Sequence, residues 1–117
     1  MKERTLDLVL KGCWYDLIKR GVKREEYREI KPYWEKRLLD YKSIVRNLEA
    51  IKFKQIILGK RIDFCKEYPK GYTQVRFRRG YTQESMTFRI DSITIGLGKS
   101  ELGAPQEEVF IIKFSEI

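Results

Sequence analysis

Three cations and three carboxylates crowd into the seven positions from Lys23 to Glu29: Lys23, Arg24, Glu25, Glu26, Arg28 and Glu29. Lys23 offers a compact ammonium suited to a phosphate. Arg28 offers a planar fork suited to a phosphate or a base edge, and Glu26 offers acceptor oxygens for an exocyclic amine. In an enzyme, Glu26 would serve as general base while Lys23 offsets developing charge. These roles share a geometric demand. In a strict strand Lys23 faces with Glu25 and Tyr27, whereas Glu26 faces with Arg28 and Ile30. Lys23 and Glu26 meet in one cleft only if the segment bulges, or if Lys23 still belongs to the turn after Gly21. Otherwise the residues form a surface ladder of ion pairs, each contributing little.

A second cationic group lies downstream. Arg76, Arg78 and Arg79 stand near Tyr81, with Tyr72 and Tyr68 upstream. Strand alternation sends Val75 and Phe77 inward and Arg76 and Arg78 to the other face. An arginine row with exposed aromatics suits single-stranded RNA, whose bases stack while its phosphates are neutralised. The same pattern also describes a solvated strand face with tyrosines packed over a barrel end.

Composition narrows the chemistry. The chain has 117 residues, enough for one domain with its own core. Lys and Arg total 25 against 17 Asp and Glu, a net charge of +8, which favours a polyanionic partner. There is no histidine, so the commonest general base and a frequent zinc ligand are missing. Cys13 and Cys65 stand far apart and make neither a metal framework nor a disulfide scaffold. Both are expected as small thiols, buried or partly buried. No metal or cofactor is expected. The chain shows no signal peptide and no bilayer-length apolar run, so the expected compartment is the cytoplasm.

Several elements must position these residues. Residues 5–10 read as a first strand. Trp14, Leu17 and Ile18 fall on one helical face, and Gly21 suits the left-handed position just past that helix. The stretch 23–30 sits between a glycine stop and Pro32, which argues for a strand or extended segment. Pro32 suits a first helical turn, and Trp34, Leu38, Tyr41 and Val45 follow at helical spacing, so one helix is expected over about 32–46. Trp14, Trp34, Leu38 and Tyr41 are assigned to packing. Residues 47–70 are hard to read. Ile51, Phe53, Ile56, Ile57 and Leu58 suit a short helix or a strand, and Gly59-Lys60-Arg61 a turn. Strands are expected over 73–78, 85–95 and 109–114. The apolar phase changes near Asp91-Ser92, which signals a bulge. Gly96 to Pro105 reads as a glycine-bearing loop.

Gly21, Lys23, Glu26 and Arg28 fit the G-x-K-x-x-E-x-R motif of ASCH domains, and the chain resembles that family over nearly its whole length. The segments Tyr27-Arg28-Glu29-Ile30-Lys31-Pro32-Tyr33-Trp34, Val75 to Tyr81 and Ile95-Gly96-Leu97-Gly98, followed by Gly103-Ala104-Pro105, resemble one bacterial and phage branch. Where that branch is expected to carry Trp before Gly-Ala-Pro, this chain has Leu102. The resemblance implies an α+β fold: a small PUA-like mixed β-barrel with two or three flanking helices, forming one domain over 1–117. It also implies an RNA-binding cleft lined by the motif.

The leading expectation is therefore a module that binds RNA or a modified nucleotide. Its candidate contacts are Gly21, Lys23, Glu26, Arg28, Arg76, Arg78, Arg79 and Tyr81. An acetylcytidine-type nucleoside amidohydrolase or an RNA-processing hydrolase is the enzymatic alternative. In the amidohydrolase branch a Lys, a Thr and a Glu act together. Lys23 matches the Lys, Glu26 stands where the Thr would fall, and Glu84 is a loose counterpart for the Glu. Replacing a hydroxyl by a carboxylate removes the obvious nucleophile and tilts the expectation toward binding. A protein–protein adaptor is the third class. Nothing in the sequence specifies an oligomeric state.

Overall fold

A computed structural model describes residues 3–48 and 64–117. The chain is a mixed α+β fold built on one five-stranded sheet that curls into a half-barrel. In chain order the elements are β1 (Thr5–Leu10), α1 (Gly12–Lys19), β2 (Glu25–Glu29), α2 (Pro32–Leu38), α3 (Tyr41–Arg46), α4 (Phe64–Glu67), β3 (Gln74–Arg79), β4 (Ser85–Leu97), a 3-10 turn (Ser100–Leu102) and β5 (Glu108–Ser115). The sheet order is β1-β3-β4-β5-β2, so the two strands that come first in sequence form its two open edges. β1 pairs with β3 in parallel, and the other three pairings are antiparallel.

Period-two alternation explains how the sheet wraps its core. Leu6, Leu8 and Leu10 of β1, Val75 and Phe77 of β3, and Phe110, Ile112 and Phe114 of β5 all face one buried cluster with Tyr15 and Ile18 of α1. Phe77, Phe88 and Phe114 meet there with ring centroids 4.9 to 5.9 Å apart. The register of β4 on β5 shifts between Ile90 and Ser92, where the alternation changes phase. That bulge lets Met86, Phe88 and Ile90 before it, and Ile93 and Ile95 after it, pack against the same core. A smaller cluster lies elsewhere: Tyr27, Val109 and Ile111 are covered by Leu102 and Ala104 of the loop after β4.

Helix boundaries follow local chemistry. The Gly21 N–H bonds back to the Ile18 carbonyl at φ +79°, and the Val22 and Lys23 N–H groups both reach the Leu17 carbonyl, closing α1 in a wrapped turn. Pro32 opens α2, as expected. The single helix expected over 32–46 is instead two. Leu39 is extended (φ −118°, ψ 158°) and bridges Pro69. Asp40 then caps α3 by accepting the Ser43 N–H at 3.3 Å. The side-chain cap outcompetes helix continuation at this point, and the register change buries Ile44 in place of Val45. With α4, four short helices stand among the described residues where two or three were expected. The expectations for Ile51 to Leu58 and for Gly59-Lys60-Arg61 lie outside the described residues. Cys65 is buried, but Cys13 is exposed, contrary to expectation, because the second residue of α1 points away from the core.

Candidate functional site

The curled sheet stops short of closing, and a cleft of about 600 Å³ lies between its two edges, walled by β1, β2 and α2. Edge strands carry backbone groups that have no strand to pair with. On β1 these belong to Asp7 and Val9, since Leu10 and the residue before the strand, Arg4, give their carbonyls to the β3 side. Arg37 donates to the Asp7 carbonyl at 3.1 Å, and Arg28 donates to the Val9 carbonyl at 3.3 Å. On β2 the outward backbone is that of Tyr27. Its N–H donates to Glu26 Oε1 at 3.1 Å, and its carbonyl accepts from Arg28 Nη1 at 2.8 Å. One guanidinium, that of Arg28, therefore spans the seam and touches both edges.

The motif residues form one connected ion cluster. β2 begins only at Glu25, so Lys23 belongs to the turn after Gly21. This meets the geometric demand, and Lys23 Nζ lies 3.2 Å from Glu26 Oε1. Glu26 Oε2 lies 2.7 Å from Arg28 Nη1. Three donors thus occupy the Glu26 carboxylate, out of about four lone-pair sites available to one. One acceptor position remains on Oε2, in the cleft wall.

The expected role of Lys23 needs correction. Lys23 is only 1% exposed and does not line the cleft. Its ammonium donates to the Leu102 carbonyl and sits 5.0 Å from the Trp14 ring centroid and 4.6 Å from that of Tyr27. Burial pulls its pKa below the ordinary lysine value, while Glu26 pulls the other way. So enclosed, it contacts neither a phosphate nor a reacting group in the cleft. It ties the loop after β4 to the motif and holds Glu26 in place. Gly21 is also absent from the cleft wall; its part is the left-handed turn that delivers Lys23.

Arg28 is the motif cation that faces the cleft, with its side chain 15% exposed. Its guanidinium lies over the Trp34 ring at 5.0 Å, and Arg37 lies over the same ring at 5.3 Å. Among the described residues three of its five N–H groups are engaged, by Glu26, Tyr27 and Val9, and two are not. The local charge balance favours anions. Each carboxylate in the wall has a cation already: Asp7 has Arg76 and Arg78, Glu26 has Lys23 and Arg28, and Glu29 has Lys31. Lys11 and Arg37 also line the cleft, and no carboxylate forms a salt bridge with either among the described residues.

The downstream arginines are placed differently. The parallel register sets Asp7 opposite Arg76, and the two form a bidentate pair at 2.6 and 3.1 Å. Arg78 reaches the same carboxylate at 3.5 Å. Arg79 forms a second bidentate pair with Asp16, at 3.2 and 3.1 Å. Arg76 holds the Asp7 carboxyl below its usual range, and Arg79 does the same for Asp16. The expected surface of arginines interleaved with exposed tyrosines is not assembled. Tyr81 is fully exposed in the β3–β4 turn, but Tyr68 and Tyr72 pack partly onto the core. Glu84 pairs with Lys19 at 3.3 Å and is not part of the cleft wall.

Sequence reasoning missed much of the wall. Trp14 and Trp34, assigned to packing, both line the cleft, with Tyr33 and Arg37 beside Trp34; Trp34 also packs against the main core, as expected. The signal was present in the Trp34–Arg37 spacing, since residues three apart on a helix are neighbours and can stack a guanidinium on an indole. Among the described residues no cluster of three His, Cys, Asp or Glu could hold a metal ion, and no helix is long and apolar enough to cross a membrane. Comparison with known proteins finds no family model, no curated protein and no solved structure that matches the chain.

Proposed function

We propose that this protein is a PUA-like, ASCH-type module that binds single-stranded RNA, holding an ordinary or modified nucleotide in the cleft between β1 and β2. The observation that carries the reading is the state of Arg28. Its guanidinium is fixed on one side by Glu26, stacked on Trp34, and faces an aromatic cleft that Lys11 and Arg37 also line, neither of them salt-bridged to a carboxylate among the described residues. A fixed fork beside indole faces matches a nucleotide, which needs a donor for its phosphate or base edge and a flat apolar surface for its ring. The remaining Glu26 acceptor position suits an exocyclic amine. The net charge of +8 adds sequence-independent affinity for a polyanion.

Titration of a short single-stranded RNA by filter binding at low salt tests this. Retention should weaken steadily as salt rises, and Arg28→Ala should lower affinity by about tenfold or more, the scale of a lost charged hydrogen bond. Absence of retention at low salt by a folded protein, or equal affinity of the Arg28→Ala variant, would refute it.

A further inference from the structure

The cleft does not end at Trp14. A second hollow of about 480 Å³ also has Trp14 in its wall, with buried Ala104 and Val109 and exposed Ser100 and Pro105. It shares Trp14, Tyr27, Arg28, Glu29 and Gly103 with the first, so the two adjoin. Each hollow falls within the roughly 300–1,000 Å³ that holds a small ligand on its own. The wall they share at Trp14 is built firmly. Gly103 adopts φ +100° against the Trp14 ring, so close that a Cβ there would lie 2.9 Å from a ring carbon. Behind the ring sits Lys23, which anchors the neighbouring Leu102 carbonyl.

The two hollows differ in chemistry. The first carries Lys11, Arg37 and Trp34. The second carries no cation of its own beyond the shared Arg28, and offers small apolar side chains with one hydroxyl. An anionic group thus belongs to the first hollow or to Arg28 at the junction, and an uncharged flat group belongs to the second.

We infer that the second hollow seats the base of a neighbouring nucleotide of the same strand, so that the minimal ligand is two linked nucleotides with their connecting phosphate at Arg28. This rests on the RNA reading above and extends it from one nucleotide to two. That Arg28 lines both hollows argues for it, because adjacent bases in a strand are separated by one phosphate.

Calorimetric titration with adenosine monophosphate and with the dinucleoside monophosphate ApA tests the inference. ApA carries less charge, so charge alone would make it the weaker ligand. The expected result is ApA binding about tenfold more tightly, the scale of one additional stacked base. Ser100→Trp and, independently, Pro105→Trp fill the second hollow from its rim, and each should bring the ratio of the two affinities to about one. Equal affinity of the wild type for the two ligands overturns the inference and leaves the single-nucleotide reading standing. A preference for ApA that survives both rim variants also overturns it, by placing the extra contact elsewhere. If neither ligand nor any longer RNA binds, the RNA reading itself falls and takes the inference with it.

Discussion

Two regions of this protein carry nearly the same charges and do different things with them. On β2 and the turn before it, Lys23, Glu26 and Arg28 form a chain of ion pairs that is almost wholly out of water, with side-chain exposures of 1%, 7% and 15%. On the sheet's β1–β3 side, Asp7, Arg76 and Arg78 form a chain of the same kind in which each side chain is about 40% exposed. Both link one carboxylate to two cations. Removing charges from water costs several kcal/mol each, so the first cluster persists only because every member is matched. The second loses little water and gains little, since solvent screens it. Burial, and not the pattern of charges, decides which cluster has fixed geometry and can present a ligand with a preorganised donor.

The comparison is most exposed at Glu26. Glu26→Ala strands the Lys23 ammonium among Trp14, Tyr27 and Leu102 and should cost about 3–5 kcal/mol. That is a large share of the roughly 5–15 kcal/mol that holds such a domain. Glu26→Gln, which keeps the shape and two acceptor-side contacts, should cost less and remain measurable in urea if the alanine variant fails to fold. A loss below about 1 kcal/mol for both would mean that the buried cluster is no more coupled than a surface one.

Lys23→Met comes next. Glu26 keeps Arg28 and the Tyr27 N–H, so about 2–3 kcal/mol is expected, less than for loss of the carboxylate. The variant also has a distinctive pH signature. Because the folded-state pKa of Lys23 is lowered from 10.5, the unfolded chain holds more protons between that lowered value and 10.5, and stability contributed by this group rises with pH across that window. Above pH 10.0 the raised Tyr27 hydroxyl acts in the opposite sense, so the test is the difference between wild type and variant. Lys23→Met should abolish the rise. In RNA titrations it should weaken binding without changing the salt slope; a slope reduced by about one would instead make Lys23 a phosphate contact.

The smallest effect is expected at Asp7 and Arg76. A double-mutant cycle with Asp7→Asn and Arg76→Ala should give a coupling of about 0.2–1 kcal/mol that shrinks with added salt. Asp7 titrates below 3.8, so the pair's contribution is present above that value and is lost as pH falls through the lowered folded pKa. Coupling as large as that at Glu26 would erase the distinction between the regions.

Much of the scaffold was legible because it rests on local patterns. The strand periods, the Gly21 stop, the Pro32 start and the phase change before Ser92 are all short-range signals. The break at Leu39–Asp40 was not, because a helical period continued through it while an Asp cap and a bridge to Pro69 competed. At the site, the union of Lys23 with Glu26 could be stated only as a condition, which depended on where β2 begins. The burial of Lys23 depended on a contact with Leu102, 79 residues away, which no local spacing encodes. Trp34 packs against the core as its spacing suggests, but amphipathic spacing does not say whether an apolar face also meets a gap, so the part of Trp14 and Trp34 in the cleft wall was not legible. The gap exists only because the sheet order leaves β1 and β2 unpaired.

That unpaired seam has a consequence for the protein as a solute. An open strand edge is a template on which a second chain can add itself, and the usual safeguard is charge at the edge. Here Arg37 and Arg28 lie directly on the Asp7 and Val9 carbonyls. The guanidiniums that face the cleft therefore also occupy acceptors that an added strand would need. Replacing Arg28 or Arg37 would bare an acceptor on the β1 edge as well as remove a cation from the cleft wall.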